Sequence, residues 1–144
     1  MAETSLAKKL NIKPGQRIVV FNAPDGYLEQ LQPLPEGTQM ATAAAPGEQF
    51  DVVQLFVKSV SELDAQATNA VAALKPGGLL WCAYPKKSSA IKTDISRDVG
   101  WDALREAGFL VVSAVAIDDT WSALRFRPRE EIKTLTRKER EQNS

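Results

Sequence analysis

Lys86, Lys87, Ser88 and Ser89 follow, past Pro85, the longest unbroken apolar run of the sequence, Leu79 to Tyr84. Ammonium groups and hydroxyls in consecutive positions can cradle a phosphate or a carboxylate with side chains and backbone N–H groups. Pro85 fixes the backbone just before Lys86, so the chain itself aims that amine. Asp94 and Arg97 come shortly after. At this spacing a helix sets them on one face as an ion pair that steadies the lysine loop. Asn22, Asp25 and Tyr27 form a second polar group, where Asn and Asp either meet a polar ligand or build a turn. Each cluster also has a plainer reading, as solvated loop lysines, a structural ion pair and turn formers. Asp118 and Asp119 offer carboxylates to a magnesium ion, but adjacent side chains diverge and turns favour Asp. The candidate ligand-binding residues are therefore Asn22, Tyr27, Lys86, Ser88, Ser89, Asp94 and Arg97. No residue is given a catalytic or metal-binding role.

The 144-residue chain has no histidine and one cysteine, Cys82. Ser-His-Asp and Cys-His catalysis, imidazole metal ligation and an intrachain disulfide are excluded. Cys82 lies inside the apolar run and reads as a small buried hydrophobe. Eighteen basic and eighteen acidic residues cancel. No overall field draws the protein to nucleic acid or to an anionic membrane. No run approaches the roughly 20 apolar residues of a membrane helix, and Met1 to Leu10 has no apolar signal core, so a cytoplasmic setting is expected. The length suits one domain, residues 1–127, followed by a charged tail, 128–144, that is part helical or disordered. Glutamates interleave with the basic residues of the tail, which argues against a nucleic-acid role.

The elements that must position these residues alternate between strand and helix. Ser5 caps a short helix, Leu6 to Leu10. Arg17 to Phe21 is a strand, Tyr27 to Leu31 a short helix, and Thr38 to Ala43 a weak strand. Asp51 to Val57 is a buried strand. Ser61 to Leu74 is a helix with Ser61 as its cap and Leu63, Ala67, Ala70, Val71 and Leu74 on one face. Lys75-Pro76-Gly77-Gly78 is a turn into Leu79 to Tyr84, a central parallel strand covered on both faces. Asp98 to Ala107 is a helix with Gly108 as C-cap. Phe109 to Ile117 and Ser122 to Arg127 form an antiparallel pair. The sum is an α/β, Rossmann-like three-layer sandwich with a mostly parallel sheet of about five or six strands and a C-terminal antiparallel hairpin. Arg17 to Phe21 and Leu79 to Tyr84 should be parallel neighbours or near-neighbours. Loops that follow parallel strands gather at the carboxyl edge of the sheet, which puts the Asn22 and Lys86 loops in one crevice.

This order resembles the S-adenosylmethionine-dependent methyltransferase fold. Arg17 to Gly26 is similar to that family's first strand and glycine loop. Phe50 to Val53, Leu74 to Tyr84 and Leu104 to Phe109 are similar to later strands and turns. The cofactor motif departs from the family. Val20 stands at the acidic position, Asn22 and Pro24 stand at the first two glycine positions, and only Gly26 remains. Met40 to Ala44 carries no carboxylate where one should bind the ribose. Asn22 to Phe50 is long enough for one βαβ crossover, and a second would need about twice the length. A strand-helix unit is therefore expected to be lost beside the adenosine site.

A closer resemblance is to a family of small uncharacterised bacterial proteins with a truncated methyltransferase-like fold. Tyr84-Pro85-Lys86, Asp94 with Arg97, and Trp121-Ser122-Ala123-Leu124-Arg125 carry it. That family has no established activity, so the resemblance implies little about function. The missing glycines, the missing carboxylate and the absent histidines favour a degenerate, non-catalytic binding or interaction module with no cofactor, whose partner is a small anionic ligand or a protein. The alternative is a small transferase with atypical cofactor contacts that uses Lys86, Asp94 and Arg97.

Overall fold

The computed structural model describes residues 6–97 and 99–128. In chain order the elements are α1 (Leu6–Lys9), β1 (Arg17–Phe21), α2 (Tyr27–Gln30), β2 (Gln39–Ala41), β3 (Phe50–Phe56), α3 (Val60–Ala72), β4 (Leu74–Pro85), α4 (Asp102–Glu106), β5 (Phe109–Ala116) and β6 (Trp121–Pro128). β1 and β3 are rich in Val, Ile, Leu and Phe, which suit a pleated, covered surface. The six strands form one sheet in the order β2-β1-β3-β4-β6-β5. β2, β1, β3 and β4 run parallel, and β6 lies antiparallel to both β4 and β5. β1 and β4 are thus near-neighbours with β3 between them, as the sequence led us to expect.

Strand side chains alternate between faces, and two cores result. Val53, Leu55 and Val57 from β3 and the residue after it point to one side, where Leu63, Ala67 and Ala70 of α3 and Leu104 of α4 cover them. Val52 and Phe56 point to the other side, against Ala7, Leu10, Tyr27 and Leu31 from α1, α2 and their flanks. Trp81 ties the second layer to the sheet, because its indole N–H donates to the Leu10 carbonyl at 3.0 Å.

Several local expectations need correction. α3 is capped by Ser59, not Ser61: the Ser59 hydroxyl accepts the Glu62 N–H at 3.1 Å. Ser59-Val60-Ser61-Glu62 is a capping-box signature that the sequence already displays. Lys75 to Gly78 does not end a helix and open a separate strand. It bulges within β4, opposite Asp51, between the pairs Phe50–Leu74 and Val52–Leu79. Gly77 takes φ +79°, and a Cβ on Gly78 would lie 2.8 Å from the Asp51 carbonyl oxygen. Both positions therefore need glycine. The last helix begins at Asp102 rather than Asp98, because Gly100 has φ +109° and cannot continue a helical turn. The weak strand shrinks to Gln39–Ala41 at the sheet edge, and residues 42–49 add neither helix nor strand before β3. The Ser5 cap and the tail from residue 129 onward lie outside the described residues. No helix among the described residues is long and apolar enough to cross a membrane.

Candidate functional site

After β1 the chain crosses to β2 on one side, and after β3 it crosses to β4 on the other. The loops part between these two strands, at the switch point where open α/β sheets seat ligands. A pocket of about 360 Å³ opens there, lined by Asn22, Pro24, Asp25, Lys58, Glu62 and Trp121 among others. Several of its polar groups already have partners. Asn22 has φ +60°, and its amide donates to the Phe56 carbonyl at 3.3 Å. The Glu62 carboxylate accepts the Lys58 N–H at 2.6 Å. Asp94 reaches over from a distant loop and accepts the Val60 N–H at 2.8 Å. The amino end of α3, a natural anion seat, thus already carries two carboxylates.

Tyr27 does not join this pocket. It is buried, and its hydroxyl donates to Gln54 Oε1 at 2.5 Å, beneath an edge-on contact with Phe56. Burial first, and then the Asp118 carboxylate, push its phenol well above its ordinary range. Asp118 builds the β5–β6 turn. Its Oδ1 accepts the N–H groups of Thr120 and Trp121, both at 2.8 Å, and Oδ2 accepts from Gln30. The magnesium reading gives way to this turn.

A second pocket, of about 310 Å³, lies past the end of β4 and is lined by Tyr84, Lys86, Lys87, Ser96, Arg97 and Ser122. Lys86 is fixed at the backbone: its N–H donates to the Thr120 carbonyl at 2.7 Å. Its carbonyl accepts the Ser89 N–H at 3.0 Å and the Ser89 hydroxyl at 2.7 Å. Ser89 therefore shapes the loop, and neither it nor Ser88 lines the pocket. The expected Asp94–Arg97 ion pair does not form. Residues 91–97 are not helical, and Asp94 points to Val60 instead.

The single crevice expected from the sequence is thus two pockets. Phe56 and Trp121 belong to the core beneath α1 and α2, whereas Tyr84 belongs to the core beneath α3 and α4. The two pockets share no lining residue among those described. Asn22 falls in the first, and Lys86 and Arg97 come together in the second. Lys58 and Glu62, and Ser96 and Ser122, are lining residues that the sequence reading missed. Strand alternation is the signal for one of them: adjacent Trp121 and Ser122 must face opposite sides of the sheet.

No protein-family model and no curated protein matches the sequence. Solved structures do match the fold. A SAM dependent methyltransferase from Aquifex aeolicus aligns with TM-score 0.63 and 14% identity over 84% of this chain and 86% of that one. A ribosomal protein methylase from Lactobacillus delbrueckii subsp. bulgaricus aligns with TM-score 0.60 and 12% identity over 86% and 75%. Fibrillarin from Aeropyrum pernix, solved with natively bound S-adenosyl-L-methionine, aligns with TM-score 0.58 and 14% identity over 88% and 70%. Identities this low speak to architecture alone. The chain has a methyltransferase-like Rossmann fold, with a six-stranded, mostly parallel sheet that ends in an antiparallel hairpin.

Proposed function

We propose that this protein is a non-catalytic binding module, a truncated and degenerate methyltransferase-like pseudoenzyme that holds a small anionic ligand and does not use S-adenosylmethionine. The observation that supports it is the loop after β1. Asn22 and Pro24 stand where the resemblance calls for glycines, and both line the switch-point pocket. The Asn22 amide crosses to the end of β3, closing the approach that a glycine leaves open. β2 stops at Ala41 with no carboxylate at its end. The Lys86–Arg97 pocket is the ligand site in this reading. The likeness to small bacterial proteins and a cytoplasmic setting, in which the buried Cys82 thiol stays reduced, belong to the same reading.

Thermal-shift screening of small anions against the full chain tests it. A ligand at 100 times its Kd adds about 2.7 kcal/mol of stability. The account expects such a shift from an anion, and expects Lys86→Ala to abolish it while unliganded stability stays within about 0.5 kcal/mol. Binding that survives Lys86→Ala would contradict the site.

A further inference from the structure

We infer that the group recognised in the Lys86–Arg97 pocket is a phosphate monoester on a small molecule. The inference rests on the reading of that pocket as a ligand site. Among the described residues Lys86, Lys87 and Arg97 all line it, and no carboxylate does. The acid nearest in sequence among the described residues, Asp94, is held at 2.8 Å from the Val60 N–H and does not pair with Arg97. A carboxylate ligand would bring one negative charge to a pocket with three cations. A phosphate monoester brings about two near neutral pH, with three acceptor oxygens. Arg97 offers the planar donor fork that grips two phosphate oxygens at once. Ser96 and Ser122 line the same pocket and can add hydroxyl donors.

Both cation-bearing segments are anchored in the core. Lys86 is pinned to Thr120 and Ser89, as described above. Arg97 follows buried Ile95 and precedes buried Trp101, whose indole N–H donates to the Ser96 carbonyl at 2.8 Å. The charged ends are thus presented from fixed backbones, which lowers the ordering loss on binding. Tyr84 packs edge-on against Trp101, with ring centres 5.6 Å apart, and gives the pocket a wall for the organic body of the ligand.

Calorimetry on the full chain at low salt and pH 8 tests the class, with phenyl phosphate and benzoate as matched probes and inorganic phosphate as the bare group. Phenyl phosphate should bind at least about tenfold more tightly than benzoate. Its affinity should fall as the pH drops below about 6 and the second phosphate proton returns. Arg97→Ala and Lys86→Ala should each weaken it about tenfold or more, whereas Lys58→Ala, in the other pocket, should not. Should Arg97→Ala fail to fold, Arg97→Lys keeps the charge, removes the fork and should still weaken binding. Equal affinity for phenyl phosphate and benzoate would overturn the phosphate assignment and leave the anion site standing. No binding of either probe would overturn both. A single-stranded RNA without terminal phosphates that binds as tightly as phenyl phosphate would replace the monoester with a nucleic-acid backbone.

Discussion

Cys82 has no exposed surface in β4, and burial pushes its thiol well above its ordinary range. A thiol reagent should therefore leave the native protein unlabelled and find one thiol after unfolding, because the thiolate is the reactive form. Labelling of the native state at the rate of a free thiol would contradict this burial. Tyr27 and Gln54 form a buried pair, and the Gln54 Nε2 has no partner among the described residues. Tyr27→Phe removes the Tyr27 donor to the Gln54 oxygen, and chemical denaturation should show a loss of about 1–3 kcal/mol. Glu48 carries a linkage to pH. The Ala45 N–H and then the Arg17 guanidinium hold its carboxyl below its ordinary value. The unfolded chain binds that proton more tightly, so the contribution to stability is present above about pH 4.3 and drains as the pH falls through the lower folded value. Glu48→Gln should flatten that part of the stability–pH curve, and an unchanged slope would rule Glu48 out. At this scale Lys86 was legible in the sequence, because the apolar run and Pro85 place it at a strand end. Ser96 was not, since nothing local says that its loop folds back over the strand. Nor could the sequence tell that Tyr27 turns inward: a polar loop followed by an aromatic residue fits both a pocket and a core.

At the scale of elements, β1 could be read to the residue, because four consecutive apolar side chains bounded by polar ones leave little choice. The bulge in β4 was less legible. Lys-Pro-Gly-Gly reads as a turn, and only the pairing of Leu74 with Phe50 makes it an irregularity within a strand. Gly78→Ala tests it. A methyl group there meets the Asp51 backbone at 2.8 Å, so overpacking should lower stability by about 1–3 kcal/mol. A neutral result would mean that the bulge is looser than its contacts imply. The start of α4 depended on Gly100, whose left-handed backbone packs against Val60 and Ile95. The sequence gives no hint of those neighbours. The same long-range contact explains Asp94, which serves the first turn of α3 rather than Arg97. Asp94→Ala should cost about 1 kcal/mol, the scale of a lost helix cap, without weakening phenyl phosphate binding. A loss of binding with no loss of stability would return Asp94 to the pocket.

For the whole molecule, βα alternation and the closing hairpin were enough to predict the sheet, because parallel strands demand crossovers and two adjacent strand signals demand a turn. The division of the carboxyl edge into two pockets was not legible. It follows from long-range contacts between loops, such as Asp94 to the Val60 N–H and Lys86 N–H to the Thr120 carbonyl. Phe21 leads into a loop that holds Asn22 and Pro24, and β2, a three-residue strand at the sheet edge, leads into residues 42–49 without a helix. The function proposed for this methyltransferase-like fold requires that S-adenosylmethionine does not bind. Titration calorimetry of the full chain with S-adenosylmethionine tests it most directly. The account predicts no measurable heat of binding at micromolar concentrations. A saturating isotherm with Kd at or below about 10 μM, near −7 kcal/mol, and lost on mutation of Asp25 or Glu62 in the switch-point pocket, would contradict it and restore the transferase reading.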